Sequence, residues 1–294
     1  MNTSEYLEPT ERERLLKLAT YASVGVAFGL IALKGGVWFA SGSVSILASL
    51  IDSLMDSAAS VINLFAVRYA LKPADREHRF GHGKAEALAG LAQAAFIVGS
   101  AVLVLLQGVG RLLDPQPINA TWLGISVMVL SIIATLGLLA VQRHVIKRTG
   151  STAINADSIH YRSDLLLNAS VIVALLLAAY GIQRADALMG LGIALYIGYS
   201  ALRIGLDAIQ ILMDHELPEE VRTEALALAR GVAGVIDVHD FRSRQSGHHW
   251  FMQMHVELPA QMSLLEAHDL GEAVRSVLEQ RFPQVDVLVH TDPV

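Results

Sequence analysis

Long apolar runs separated by short polar segments fill the first 213 residues of the chain. A helix needs about 20 apolar residues to cross the hydrocarbon core of a bilayer. Six runs have roughly this length, and we expect each of them to form a membrane-spanning helix. They cover approximately residues 18–39, 44–67, 87–106, 122–141, 151–180 and 187–213.

From residue 214 onward the pattern changes to shorter apolar segments with more charge, and Pro218 marks the boundary. Helical spacing of apolar residues predicts two helices in this tail, the second with Ser263 as its N-cap and Glu266 completing a capping box. Alternating apolar and polar positions predict three strands. The expected order is a helix over 219–230, strands over 235–242 and 249–257, a helix over 264–282 and a strand over 285–290.

These patterns together predict the fold class. We expect an α-helical membrane protein with six transmembrane helices, followed by a small cytoplasmic α+β domain of order α-β-β-α-β. The membrane domain is expected to span residues 1–213, including a short cytoplasmic N-terminal segment, and the cytoplasmic domain residues 214–294.

The composition supports a membrane protein, because charged residues make up only 17% of the chain and hydrophobic residues 53%. A soluble domain usually carries about 25% charged residues. The polar, acidic N-terminus lacks the basic segment of a cleaved signal peptide, so we expect the first span to be retained. Cysteine is absent, which excludes disulfides and thiolate ligands, so any metal must be held by His, Asp and Glu.

Basic residues are concentrated on one side of the predicted spans. They precede the first span and occupy the connections between spans two and three and between spans four and five, whereas the opposite connections hold only Arg111 and Arg184. Because basic loops stay in the cytoplasm, both termini are expected to be cytoplasmic. The basic positions are Arg12, Arg14, Lys17, Lys72, Arg76, Arg79, Lys84, Arg143, Lys147 and Arg148.

Two pairs of potential metal ligands lie inside apolar spans. Asp52 and Asp56 are in the second span, and His160 and Asp164 are in the fifth. Each pair is spaced i, i+4, so both side chains point to the same side of a helix. Carboxylates within a membrane are costly and indicate function. We therefore expect these four side chains to form one cage for a divalent cation.

Two further groups of ligands lie in polar segments. Asp75, His78 and His82 follow the second span as D-x2-H-x3-H, a spacing that can hold a metal with one open position, although a solvated loop is the alternative. Seven of the eleven histidines lie in the tail, where ordinary surface histidines are the alternative. In the last strand, His290 and Asp292 share a face because they are two residues apart.

Other functions lack their motifs. The chain has neither an H-E-x-x-H metalloprotease motif nor a G-x-x-x-x-G-K-[ST] nucleotide-binding motif, and it has no large basic face for nucleic acid. A metal hydrolase needs an open coordination position for water, whereas the expected membrane cage supplies four protein ligands. An enzyme is therefore not expected. Lys34, inside the first span, has no partner that the sequence identifies.

Four segments resemble the cation diffusion facilitator family. They are S-L-I-D-S-L-M-D in the second span, P-A-D-R-E-H-R-F-G-H-G-K-A-E in the following loop, A-D-S-I-H-Y-R-S-D in the fifth span and H-T-D-P at the C-terminus. The resemblance covers essentially the whole chain and includes R-S-R-Q-S-G in the tail. It implies a homodimeric zinc/proton antiporter in the bacterial inner membrane that exports metal from the cytoplasm by alternating access.

The resemblance also implies three metal sites and one salt bridge. The transport site would be Asp52, Asp56, His160 and Asp164, the loop site Asp75, His78 and His82, and the cytoplasmic binuclear site His239, His255, His268, His290 and Asp292, with Asp292 bridging. An inter-subunit salt bridge would fall on Lys84 and Asp214. The sequence departs from the family pattern at His248 and His249, which leaves open an extra ligand in the tail.

The expected chemistry is competition between metal and protons for one set of ligands, because a bound cation requires deprotonated ligands. The transported ion stays open among Zn²⁺, Cd²⁺, Fe²⁺ and Mn²⁺, all of which accept oxygen and nitrogen donors. The alternative is a membrane metal sensor or storage protein, in which bound ions change assembly without crossing the bilayer.

Overall fold

The computed structural model describes residues 9–41, 44–113, 122–179 and 185–294. Its element order confirms the predicted fold class, since six long helices are followed by an α-β-β-α-β tail. The long helices are α1 (Pro9–Ser41), α2 (Val44–Ala70), α3 (Lys84–Leu113), α4 (Trp122–Thr149), α5 (Thr152–Ala179) and α6 (Ala185–Leu212). The tail contains α7 (Glu219–Arg230), β1 (Asp237–Ser246), β2 (His249–Leu258), α8 (Leu264–Arg281) and β3 (Val285–Pro293).

Several helices extend beyond the apolar runs that predicted them. Helix α1 begins at Pro9, whose fixed φ favours the first turn of a helix. Helix α4 continues through a polar last turn containing Lys147 and Arg148, which interact favourably with the negative end of the helix dipole. The sequence pattern marked only the part of each helix that is apolar enough for lipid.

Within the described residues, four helical segments are long and apolar enough to cross a membrane by themselves. They are Thr10–Ala40, Lys84–Leu113, Gly124–Thr149 and Ala187–Leu212. Helices α2 and α5 have 27 and 28 residues, which is also a spanning length, but they carry the polar side chains. The potential metal ligands Asp52, Asp56, His160 and Asp164 interrupt the apolar sequence of these two helices.

The chain divides into two compact units by its internal contacts. One contains residues 85–208 and the helices before Lys72, and the other joins the segment 72–84 to residues 209–294. In the first unit, α1 packs against α2 and α4, and α5 packs against α4. The predicted domain boundary between residues 213 and 214 stays a prediction.

The tail contains a three-stranded sheet of order β1-β2-β3, antiparallel between β1 and β2 and parallel between β2 and β3. Met252, Met254 and Val256 point to one face, where they form a core with residues of α7 and α8. The opposite face carries the polar partners of the alternating pattern. There the register pairs His255 with both His239 and His290.

A β-bulge interrupts the pairing of β1 with β2 between His239 and Arg242. Asp240 within it has a φ of 47°, in the left-handed region that Asp tolerates better than most residues. The predicted capping box of α8 is confirmed, because the Ser263 hydroxyl accepts from the backbone N–H of Glu266 while the Glu266 carboxylate accepts from that of Ser263.

The segment 72–84 packs closely on the β1–β2 hairpin within its own unit. The Phe80 and Phe251 rings are T-shaped at a centroid distance of 5.4 Å, and the Arg244 guanidinium lies 4.6 Å from the centre of the Phe80 ring. A Cβ atom on Gly83 would lie 2.2 Å from the carbonyl oxygen of Ser246. This close approach of two backbones requires glycine at position 83.

Candidate metal sites

Helices α2 and α5 bring three of the four expected transport ligands together. The Nε2 atom of His160 lies 2.9 Å from Oδ1 of Asp56 and 3.7 Å from Oδ2 of Asp164. One ligand atom from each residue lies within 4.8 Å of the others, a spacing that can hold a metal ion. Asp52 is on α2 one turn before Asp56, but its side chain lies outside the described part of the structure.

A buried hydrogen-bond network supports the helix that carries His160. The Ser23 hydroxyl and the Gln142 amide donate to Oδ2 of Asp157 at 2.7 and 2.8 Å. One turn further along, the Tyr161 hydroxyl donates to the backbone carbonyl of Ser23 at 3.2 Å and lies 2.9 Å from the Ser60 hydroxyl. These contacts join α5 to α1, α2 and α4, and they hold the helix in a fixed rotation next to the ligand cluster.

The sequence did not identify this network. Asp157 stands out in the sequence only as one of several polar residues in the first half of α5. Its partners Ser23 and Gln142 lie 134 and 15 residues earlier in the chain. No local spacing connects them, so only a tertiary structure could identify the network.

A cavity of about 140 Å³ adjoins the ligand cluster and is lined by both Asp56 and Asp164. Lys34 lines the same cavity and is buried, and its ammonium donates to the carbonyl of Ser49 at 3.2 Å and the hydroxyl of Ser53 at 2.7 Å. The structure thus identifies hydrogen-bond partners of Lys34 that could not be predicted from the sequence. The cavity wall also includes Ala27, Leu30, Ser131, Thr135, Tyr161, Leu167 and Asn168.

The segment 72–84 brings the three expected loop ligands together. Oδ1 of Asp75 lies 3.4 Å from Nδ1 of His78, and Oδ2 lies 3.4 Å from Nε2 of His82. His82 is buried, whereas Asp75 and His78 are exposed. A hydrogen bond from the backbone N–H of His78 lowers the pKa of Asp75, which keeps this carboxylate ionised and ready to bind a cation.

In the tail, Asp292 lies among three histidines on the polar face of the sheet. Its Oδ2 atom is 2.8 Å from Nδ1 of His255 and 3.4 Å from Nε2 of His239, and its Oδ1 atom is 3.2 Å from Nε2 of His290. The hydrogen bond with His255 lowers the pKa of Asp292, and the neighbouring imidazoles lower it further. A carboxylate with both oxygens directed at different histidines has the geometry expected of a bridging ligand.

Two acidic residues near this cluster were not predicted from the sequence. The bulge in β1 brings Asp240 to the cluster, where it lies with His239 and His255 so that their ligand atoms are within 4.8 Å. Glu257 has Oε1 3.4 Å from Nδ1 of His239. Regular alternation along a strand predicts Asp240 on the face opposite His239, so the sequence pattern could not predict that Asp240 lies near the cluster.

The remaining histidines of the tail lie apart from the cluster. His268 is on α8 and lines a separate cavity with residues of β3, and no group of potential ligands among the described residues includes it. His248 and His249 are at the β1–β2 turn, with ring centroids 6.2 Å apart. Among the described residues, neither of them belongs to a group of potential ligands. A ligand role for His268 stays a prediction, and an extra ligand from His248 or His249 stays open.

Lys84 and Asp214 form a salt bridge within one chain, with Nζ 2.8 Å from Oδ1. Burial acts to raise the pKa of Asp214, but the hydrogen bond and charge of Lys84, together with the charge of Arg244, lower it overall. The pair thus ties the first residue of α3 to the segment after α6. Pairing between subunits stays a prediction.

Comparison with known proteins agrees with the fold. Residues 20–213 match the family model of the cation efflux transmembrane domain, and residues 217–294 match that of the cation efflux protein cytoplasmic domain. Cation-efflux pump FieF from Yersinia pestis (strain Pestoides F) is 48% identical over 280 residues, which are 95% of this chain and 93% of that protein. Cation-efflux pump FieF from Yersinia pseudotuberculosis serotype O:3 (strain YPIII) has the same identity and coverage.

Among solved structures, MamM-CTD 215-293 is 22% identical and covers 26% of this chain and 98% of its own, with a TM-score of 0.25. A similarity this limited supports no conclusion about the present chain. The family models and the relatives from Yersinia, in contrast, extend over both parts of the molecule. The chain belongs to the cation efflux, or cation diffusion facilitator, family of membrane transporters.

Proposed function

We propose that this protein exports divalent metal cations from the cytoplasm, with Zn²⁺ as its main substrate, in exchange for protons. The observation that carries the proposal is the cluster of Asp56, His160 and Asp164 between two helices of the bundle. With Asp52 as a fourth ligand, the cage would have three carboxylates and one imidazole. Zn²⁺ accepts this donor set in tetrahedral geometry, and Cd²⁺, Fe²⁺ and Mn²⁺ are further candidate substrates.

The contact between His160 and Asp56 supports proton exchange. A separation of 2.9 Å between an imidazole nitrogen and a carboxylate oxygen requires a proton between them. A metal ion that takes both atoms as ligands must displace that proton. Metal and proton therefore exclude each other at the same atoms, and alternating exposure of the site to the two sides converts this competition into antiport.

The pH gradient would supply energy for the exchange, and the membrane potential would add to it only if more than two protons enter for each divalent cation that leaves. Each proton that enters the cytoplasm releases about 2.3 kcal/mol per 100 mV from the electrical term, and each divalent cation that leaves costs about twice that amount. We propose the bacterial inner membrane as the location, with both termini in the cytoplasm. The basic residues at the end of α4 support that orientation, since basic segments stay on the cytoplasmic side.

The tail is proposed to bind cytoplasmic metal and to regulate transport as part of a homodimer. His239, His255, His290 and Asp292 already form one cluster within a single chain. If His268 is also a ligand, a second copy of the chain is the simplest source of its imidazole, because His268 lies away from the cluster of its own chain. Metal bound between two copies would favour the dimer and shift the population toward one arrangement of the tails.

Flux into sealed vesicles tests the proposal. The purified full chain is reconstituted into liposomes, and Zn²⁺ uptake is measured with and without an imposed pH gradient. We expect uptake driven by the gradient and a loss of about 100-fold or more in Asp56→Asn, since removal of even a supporting contact costs 10–100-fold. Asp207→Asn, which removes an exposed carboxylate from α6, is the matched control and should keep the wild-type rate.

The second candidate, a metal sensor or storage protein, makes a different prediction for the same vesicles. It predicts Zn²⁺ binding that depends on Asp56 but no flux under any gradient. Zn²⁺ flux that does not depend on the pH on either side of the membrane would support transport but reject proton exchange. Equal flux in Asp56→Asn and wild type would reject the proposed transport site.

A further inference from the structure

A buried lysine faces the proposed transport site from a helix that supplies none of its ligands. Lys34 is in α1 and has 8% of its surface exposed. An ammonium group inside a membrane is costly, so its presence in a protein-lined cavity indicates a function. Its hydrogen bonds to the Ser49 carbonyl and the Ser53 hydroxyl hold it against α2, on the helix that carries Asp56.

The ammonium and two ligand carboxylates share one small cavity. The cavity of about 140 Å³ is lined by Lys34, Asp56 and Asp164. This volume has room for only a few water molecules, so the ammonium and the two carboxylates line one small polar space. Coulomb interactions are several times stronger there than in water.

We propose that Lys34 is a fixed counter-charge of the transport site that limits its affinity for metal. The inference rests on the proposed function of the cluster. Without metal, the ammonium balances part of the negative charge of Asp56 and Asp164. A divalent cation that enters the cage is repelled by the same ammonium, so it binds less tightly and leaves more readily. A transport site needs this compromise, because its ion must be released on the far side.

A purely structural role for Lys34 makes the opposite prediction. If Lys34 only joins α1 to α2 through Ser49 and Ser53, its removal loosens the bundle and weakens metal binding. A counter-charge, in contrast, weakens metal binding while it is present, so a neutral replacement strengthens it. The direction of the change in affinity therefore separates the two roles.

Zn²⁺ titration of the purified full chain tests the proposal. The variants are made in a His78→Ala, His255→Ala background, which removes one ligand from the loop cluster and one from the tail cluster. In Lys34→Gln and Lys34→Met we expect Zn²⁺ to bind about tenfold more tightly or better, because one positive charge is removed from a poorly screened cavity. Lys34→Arg keeps the charge and should keep the affinity within about twofold.

Lys147→Gln is the matched control, since it removes a lysine from the exposed surface of α4 and should leave the affinity unchanged. In liposomes, the neutral variants should lower both the Zn²⁺ concentration at half-maximal flux and the maximal rate. Unchanged or weaker binding in the neutral variants would overturn the proposal. So would failure of both neutral variants to fold while Lys34→Arg folds, because that result assigns a structural role.

Asp56→Ala separates this inference from the function on which it rests. Loss of the site in Asp56→Ala with unchanged affinity in Lys34→Gln would reject the counter-charge alone. Full binding in Asp56→Ala would reject the proposed transport site itself.

Discussion

The membrane cluster and the tail cluster use the same kinds of ligand in different surroundings. In the membrane cluster, the His160 side chain is 9% exposed and lies between two helices held by buried hydrogen bonds. In the tail cluster, the His290 side chain is 66% exposed and lies on one face of a three-stranded sheet. The donor chemistry is alike, but the imidazoles are more exposed in the tail cluster, whereas the carboxylates are exposed to a similar degree in both clusters.

This difference determines what each cluster can do. Where water is excluded, charges interact strongly and an unpaired ligand is costly, so metal and proton must replace each other. Where water has access, a ligand can be hydrated when the metal leaves, and binding follows the concentration of the ion in solution. The cluster with the buried imidazole thus fits the proposed exchange of metal and protons, and the cluster with the more exposed imidazoles fits the proposed regulatory binding of metal.

The largest expected effect is a difference in Zn²⁺ flux between two variants, each of which lacks one imidazole of one cluster. His160→Ala should lower Zn²⁺ flux about 100-fold or more, because it opens the only nitrogen position among the expected ligands of the membrane site. His255→Ala removes the same group from the tail and should keep at least about half of the flux at saturating Zn²⁺. Flux assays in liposomes measure both. Equal losses in the two variants would contradict the division of roles.

The next effect concerns the affinity of the tail cluster. Asp292→Asn should weaken Zn²⁺ binding to the tail about 10–100-fold, since Asp292 contacts three histidines at once. Calorimetric titration of the full chain in an Asp56→Ala background measures it. Asp286→Asn, an exposed carboxylate on the same strand and face, serves as the control. Wild-type affinity in Asp292→Asn would rule out its bridging role.

A smaller effect is expected at the bulge of β1. Asp240→Asn should weaken Zn²⁺ binding to the tail by a few-fold, because Asp240 lies near only His239 and His255. The same titration detects the change, and Asp269→Asn on the exposed surface of α8 is its control. If the two variants bind Zn²⁺ equally well, Asp240 is not a ligand.

The smallest effect is on stability and depends on pH. The pKa of Asp214 is below its ordinary value of 3.8 in the folded protein, so its stabilising contribution is present above that value and is lost as the pH falls through the lowered pKa. Asp214→Asn should lower the stability of the tail by about 0.5 kcal/mol at pH 7, a figure reduced for solvent screening. Thermal unfolding at pH 7 and at pH 3 should show this deficit shrinking, and a deficit that stays constant would argue against the salt bridge.

The sequence was sufficient to predict the order of elements and the meeting of α2 with α5. Residues at i, i+4 must share a helix face, and buried carboxylates must find partners, so Asp56, His160 and Asp164 were predictable as a group. The polar ends of α1 and α4 could not be predicted from the apolar runs. These residues are helical because backbone hydrogen bonds hold a helix together, and those bonds do not require apolar side chains.

Contacts made across the tertiary structure could not be predicted. The hydrogen bonds of Asp157 with Ser23 and Gln142, and those of Lys34 with Ser49 and Ser53, join helices whose rotations the sequence does not specify. The bulge that redirects Asp240 depends on the pairing of β1 with β2.

The parallel pairing of β2 with β3 has a consequence for folding. Its register sets His255 beside His290 and Glu257 beside Asp292. A slip of β3 by one residue would turn His290 and Asp292 into the apolar core and expose Val289 in their place. A metal ion bound to the polar face would therefore stabilise only the native register of β3 against β2, and it would select against shifted registers while the tail folds.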